Sequence, residues 1–211
     1  HKLANLLGNK FETRLNFKRD WGLGTSSTFV NNLAKWAKVD PYQLLFSTFK
    51  GSGYDIACCD LNHPIIFKKT RESIDVKKIK FKPPFIKNLF LIHLGKKQNT
   101  QLSIENYSKK KFDRIELIKK INTITDEFIK CNELIHFEEL IQEHESIISQ
   151  ATSIKPIQNS NFSDYKDGKI KSLGAWGGDF ILVTTKNKDL SYFKKRGLET
   201  IIPLEDIVYL N

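Results

Sequence analysis

Asp20-Trp21-Gly22-Leu23-Gly24-Thr25-Ser26-Ser27 is the stretch on which the reading of the fold turns. Ahead of it, residues 11–17 alternate apolar and polar side chains through Phe11, Thr13, Leu15 and Phe17, the period of a half-buried strand. Behind it, residues 25–38 carry Phe29, Val30, Leu33, Trp36 and Ala37 at helical spacing, with Thr25, Ser26 and Ser27 all able to cap the helix. The expected unit is strand, glycine turn, helix. Glycines in such a turn let the backbone approach a ligand, and the free N–H groups of a helix's first turn form an anion site, which would suit a phosphate. A plain tight turn before a capped helix is the alternative. The stretch is not a Walker loop, because no Gly-Lys-Ser/Thr follows, and it is not the dinucleotide G-x-G-x-x-G.

Further along, Asp40-Pro41 opens a second helix with Asp as N-cap and Pro at the first helical position, running to about residue 49. Lys50-Gly51-Ser52-Gly53 breaks it, and residues 54–60 read as a short helical start. Residues 64–68 and 88–94 read as strands separated by Pro83-Pro84, the second nearly all apolar and therefore central. A polar stretch, 96–107, precedes two long amphipathic helices at 112–130 and 134–151. Phe137, Leu140, Ile141, His144 and Ile148 share one face of the latter. Residues 152–168, rich in Asn, Ser and Asp, read as a surface loop. Then come a strand (169–173), a second glycine turn (174–178), a strand (180–184), a helix (189–196) and one or two short strands in 200–209. Interleaved strands and helices without an internal repeat make the class α+β.

The 211 residues are 40% apolar, enough for a real core in one domain or two small ones. No uncharged apolar run approaches the ~18 residues of a membrane span, and the first residues are too short an apolar stretch for a signal peptide, so no membrane is expected. Cys58, Cys59 and Cys131 are an odd number without ligand spacing, which fits a reducing cytoplasm. The sequence holds no methionine, so its first residue is read as not the biological start. The net charge of +10 favours anionic partners. Its excess is mostly lysine in runs such as Lys109-Lys110-Lys111, read as solvated surface, whereas a nucleic-acid binder would place arginine and exposed aromatics along one groove.

Two further constellations bear on chemistry. Gly51-Ser52-Gly53-Tyr54-Asp55 puts two glycines just before an acid, a turn that could hold a carboxylate where it accepts or orients a hydroxyl proton, or merely one in which Asp55 caps a helix. Ser172-Leu173-Gly174-Ala175-Trp176-Gly177-Gly178-Asp179 crowds three glycines between strands, for close backbone approach or for turning alone. His63, His93, His136 and His144 are scattered, with no H-E-x-x-H and no zinc spacing, and His144 reads as a packed histidine. Neither Ser26 nor Ser52 stands in a G-x-S-x-G elbow. Lys96-Lys97-Gln98-Asn99-Thr100 follows a central strand and could reach a substrate anion or lie in solvent.

In this order and at these separations the three glycine segments resemble the signature of the galactokinase, homoserine kinase, mevalonate kinase and phosphomevalonate kinase (GHMP) superfamily. Residues 22–27 resemble its Gly-Leu-Gly-Ser-Ser-Ala loop, departing at Thr25 and Ser27. Residues 51–55 resemble the Gly-Ser-Gly-hydrophobic-Asp segment, and Gly53-Tyr54-Asp55-Ile56-Ala57 resembles a bacterial subgroup named for those five letters. Residues 172–178 resemble the late Gly-Ala-Gly-Gly-Gly loop, with Trp176 in place of a glycine. The resemblance runs from about Phe11 to the end and lacks the family's opening Gly-Lys-hydrophobic-Gly-Glu segment. It implies an N-terminally incomplete ribosomal protein S5 domain 2-like nucleotide-binding domain over 1–94 and a ferredoxin-like domain over 95–211.

It further implies ATP and Mg²⁺ as cofactors. Gly22, Leu23, Gly24, Thr25, Ser26 and Ser27 would cradle the phosphates, the Ser26 hydroxyl would help hold Mg²⁺, and Asp55 would be catalytic. Gly174, Ala175, Gly177 and Gly178 would close over phosphates and substrate. The acceptor would be a small molecule, mevalonate or phosphomevalonate first, in a cytoplasmic protein with room for a homodimer. Mevalonate kinases carry a metal-assisting glutamate about eleven residues before the aspartate, where this chain has Leu44 beside Gln43. Two rival expectations follow: a non-catalytic nucleotide- or metabolite-binding member, and a basic RNA-binding module with steeply salt-dependent affinity.

Overall fold

The computed structural model describes residues 10–49, 51–70, 72–95, 114–174 and 179–209. The chain is α+β and divides into two compact units, His1–Lys80 (with Asn211) and Phe81–Leu210.

In the first unit, α1 (Thr25–Ala37) buries Val30, Asn31 and Ala34 and ends at Lys38, whose left-handed backbone turns its N–H back to the Ala34 and Lys35 carbonyls. The helix α2 (Pro41–Thr48) starts as its sequence predicts: the Asp40 carboxylate accepts from the Gln43 N–H at 2.7 Å, with Pro41 in the first turn. A short α3 (Tyr54–Cys58) follows Gly53. Val30, Leu45 and Ile56, one from each helix, form the core, with Tyr42 and Leu44 packed alongside. Asp60, just past α3, ties the helices together, accepting from buried Asn31 at 3.2 Å through both oxygens and pairing with Lys35 on α1.

An antiparallel hairpin, β1 (Ile65–Lys69) with β2 (Ile74–Lys78), completes the unit. The Thr70 hydroxyl accepts from the Ser73 N–H at 3.0 Å across its turn. The sequence reading anticipated β1 but not β2. The expected strand at 11–17 does not form among the described residues. Alternation suits a strand only when a neighbour takes up its N–H and C=O groups. Here Phe11 packs edge-on against Trp36 and Phe17 stacks on Trp21 instead, with Phe11 and Leu15 exposed.

The second unit is built on a four-stranded antiparallel sheet in the order β4 (Ile170–Ser172), β5 (Phe180–Thr184), β3 (Leu89–His93), β6 (Ile201–Pro203). Both β3 and β5 are interior, and β5 is buried end to end, which accounts for their continuous apolar sequences. Because β3 pairs within this sheet, residues 81–94 fall in the second compact unit. The helices α4 (Arg114–Lys130) and α5 (Leu134–Thr152) pack together, with Phe137 of α5 between Phe85 and Phe128. The segment expected to be a loop contains a short α6 (Ile157–Asn161) and two buried aromatics, Phe162 and Tyr165. These join Ile92, Ile170, Ile181, Val183 and Phe193, the last from α7 (Ser191–Lys194), in one apolar cluster. Among the described residues no helix is long and apolar enough to cross a membrane.

Candidate active site

Two of the three glycine segments meet within the first unit. Gly24 sits at φ +70 as the residue before α1, a left-handed conformation that disfavours any side chain. No side chain caps this end, while the Thr28 N–H bonds to the Gly24 carbonyl at 3.0 Å, so the first-turn N–H groups of Thr25, Ser26 and Ser27 are not taken by a capping residue. Gly22, at φ +66, turns the chain into this position. Leu23, Thr25 and Ser27 are half-buried, and Ser26 lies exposed on the first turn.

Asp55 arrives at the same place from α3. A Cβ on Gly24 would lie 3.6 Å from Asp55 Oδ1 and 3.7 Å from its Cγ, so the carboxylate fills the space beside the helix opening. What aims it is Gly53, at φ +91, where a Cβ would come within 3.2 Å of the Tyr42 ring and 3.3 Å of Phe46. Only a glycine allows the backbone to turn this close to α2. Gly51 has nothing within 4 Å, so of the two glycines one is structurally required. Lys69 on β1 reaches the same turn, its ammonium 3.4 Å from the Gly51 carbonyl and 4.1 Å over the Phe46 ring.

Burial pushes the Asp55 carboxyl above the ordinary carboxylate range, with a hydrogen bond from Tyr54 working the other way. The Tyr54 hydroxyl is raised in turn, first by burial and then by the Asp55 charge. A half-buried carboxylate with a raised pKa is a stronger proton acceptor than an exposed one. Cys59 lies one turn on and donates its thiol to the Asp55 carbonyl at 3.1 Å, and burial raises its pKa, so it is a packed thiol.

The cradle fits a nucleotide phosphate: open backbone donors, left-handed glycines and an exposed hydroxyl at Ser26. For a metal the protein offers less. Among the described residues no three His, Cys, Asp or Glu side chains converge as a metal site. Leu44, where mevalonate kinases have glutamate, is packed against the Val30, Leu45 and Ile56 core. That is compatible with Mg²⁺, which keeps waters and phosphate oxygens as ligands and takes few from protein.

Of the third segment, Gly174 has a left-handed backbone after β4 in the second unit. Ala175, Trp176, Gly177 and Gly178 lie outside the described residues, as does the Lys96 to Thr100 stretch. Sequence reasoning missed Tyr54, Tyr42 and the Asn31, Lys35 and Asp60 cluster. Tyr54 stood inside the quoted motif and could have been found there; the cluster joins residues from separate helices and had no local signal. His144 is half-buried and contacts Lys171 at 2.8 Å, in keeping with a packed histidine. Comparison of the chain with protein-family models, with curated proteins and with solved structures gives no match.

Proposed function

We propose that this protein is an ATP-dependent small-molecule kinase of the GHMP type, transferring the γ-phosphate to a hydroxyl or phosphate of a metabolite, with mevalonate and phosphomevalonate the first acceptors to test. One observation carries the reading: the Asp55 carboxylate lies 3.6 Å from where a Cβ on Gly24 would stand, at the uncapped opening of α1, although two helices separate them in sequence. A carboxylate beside an anion cradle is what phosphoryl transfer to a hydroxyl requires, since the work is mostly positioning and charge neutralisation. The antiparallel sheet of the second unit supports the ferredoxin-like expectation for that half.

In this reading the backbone N–H groups at 24–27 hold phosphate oxygens, and the exposed Ser26 hydroxyl joins them in holding Mg²⁺, which when bound neutralises phosphate charge. Asp55 orients the acceptor hydroxyl and takes its proton as the hydroxyl oxygen bonds to the γ-phosphorus and the bond from that phosphorus to the bridging oxygen breaks, releasing ADP, and Tyr54 fixes the carboxylate's direction.

The test is transfer from labelled ATP to a metabolite panel, with Asp55→Asn beside the native chain. Loss of transfer by roughly 10²–10⁴-fold, with nucleotide binding kept, is the expected result. Leu44 in the core and the sparse metal ligands favour a second reading, a non-catalytic nucleotide-binding member. Nucleotide binding without transfer by either protein would select it. Absence of nucleotide binding would overturn both.

A further inference from the structure

The second unit holds a half-open cleft of about 590 Å³ between α5, α6 and the 163–170 segment, within the size range of small-molecule sites. We propose that this cleft binds a small phosphorylated polyol or sugar, its phosphate held by Lys166, Lys169 and Lys186 and a hydroxyl donated to Glu138. The inference is independent of the kinase reading, because every residue involved lies in the second unit.

Charge distinguishes this cleft first. Its lining carries three lysines, and among the described residues none of them has a carboxylate within ion-pairing distance. The carboxylates of its floor, Glu138 and Glu145, are 5% and 6% exposed. Glu145 is already engaged: the Lys171 ammonium donates to it at 3.1 Å, and the Ser172 hydroxyl lies 3.0 Å from both its oxygens. Asp167, the nearby acid, accepts instead from Thr185 and Asn187. Lys166 donates to the Ser163 carbonyl at 3.1 Å, and with Glu138 alone unpaired on the floor among the described residues the cleft keeps a net positive charge, which a phosphate monoester would offset.

The floor supplies the second half of the recognition. Glu138 accepts a hydrogen bond from the Thr184 hydroxyl at 2.5 Å, and an ionised carboxylate has about four acceptor sites. It can thus accept from a ligand hydroxyl, and burial makes that bond selective, since a ligand without a donor would leave acceptor sites dry. The exposed polar lining, with Gln142, Ser146 and Asn159, suits further hydroxyls.

The site is also held rigid before any ligand arrives. The Thr184 hydroxyl that bonds Glu138 accepts from the Lys169 N–H at 2.7 Å, while the Thr184 carbonyl accepts from the Tyr165 hydroxyl at 2.7 Å. Gln158 donates to the Tyr165 and Gly168 carbonyls and accepts from the Ile170 N–H, fastening α6 to β4. Gly168 makes this possible, because a Cβ there would sit 2.1 Å from the Thr184 carbonyl oxygen. The Lys169 backbone is thereby fixed beside Glu138, so the ammonium starts from a set position, the pre-organisation that a small ligand's affinity depends on.

The full-length chain, titrated with ribose 5-phosphate, ribose and inorganic phosphate while backbone amide shifts are followed by NMR, tests this. Shifts at Gln158, Lys169, Ile170 and Lys186 with ribose 5-phosphate, weaker with either half alone, are expected. A Lys169→Gln, Lys186→Gln double variant should bind roughly tenfold more weakly. Its side chains keep the local shape, and an unchanged native amide spectrum elsewhere shows that the fold persists. Phosphate alone binding as well as the ester would overturn the polyol assignment. Shifts absent at millimolar ligand, or equal in the double variant, would overturn the site.

Discussion

At the scale of single residues, the Asp55 carboxylate joins two properties that substitution separates. Burial raises its pKa, so in the fold its charged form is disfavoured: the contribution to stability is most favourable below the unfolded value of 3.8 and is lost as pH rises through the folded value. The Asp55→Asn variant, proposed above to lose transfer, is therefore expected to be more resistant to urea than the native chain at neutral pH. That advantage should vanish below the ordinary carboxylate range, and equal urea midpoints at pH 7 would contradict the burial assigned to it. The neighbouring turn shows the opposite case. Gly53→Ala must place a methyl at φ +91 against the Tyr42 and Phe46 rings, and is expected to destabilise by roughly 1–3 kcal/mol in chemical denaturation. Gly51→Ala, with open space around it, should cost far less. Of the candidate site, the sequence made Asp55 and Gly24 legible through their wording, and their proximity only as what the family resemblance implied. Adjacency arises from the packing of Val30, Leu45 and Ile56, which no spacing announces.

At the scale of elements, local chemistry decided what could be read. The Asp40-Pro41 start of α2 and the apolar run of β3 carry their instructions within a few residues, and both formed as expected. Residues 11–17 have a strand's pattern and no partner; β2 has only Ile74 and Val76 among polar neighbours, yet forms because β1 lies beside it. Pairing is non-local, so short strands are the elements that composition reveals least. The α6 segment was hidden by its Asn and Ser content, while Phe162 and Tyr165 after it were the sign that it was anchored. Removing the α2 cap by Asp40→Ala should lower stability by about 1 kcal/mol in thermal unfolding. On α5, burial and the Lys171 charge lower His144 from 6.5 to about 4. Its neutral form is favoured in the fold, so the stabilisation is complete above pH 6.5 and is lost as pH falls toward 4, by about 3 kcal/mol in all. A His144→Gln variant should show a flatter pH–stability curve over that interval.

At the scale of the whole molecule, the two units differ in how much they enclose. Among the described residues the largest fully buried side chains, from Leu89 to Phe193, all belong to the second unit, while the first buries smaller groups around Val30, Leu45 and Ile56. Hydrogen exchange should accordingly be fastest through α1, α2 and the β1–β2 hairpin and slowest in β3 and β5. Uniform protection across both units would contradict this.

The Asp60 cluster acquires a meaning here. It joins α1, whose first turn lies beside Asp55, to the end of α3, which carries that acid, and its Lys35 partner is more than half exposed. Such an exposed strut slackens as dissolved ions shield it. Dissolved ions therefore loosen this tie between α1 and α3 without touching the Val30, Leu45 and Ile56 packing that sets the helices side by side.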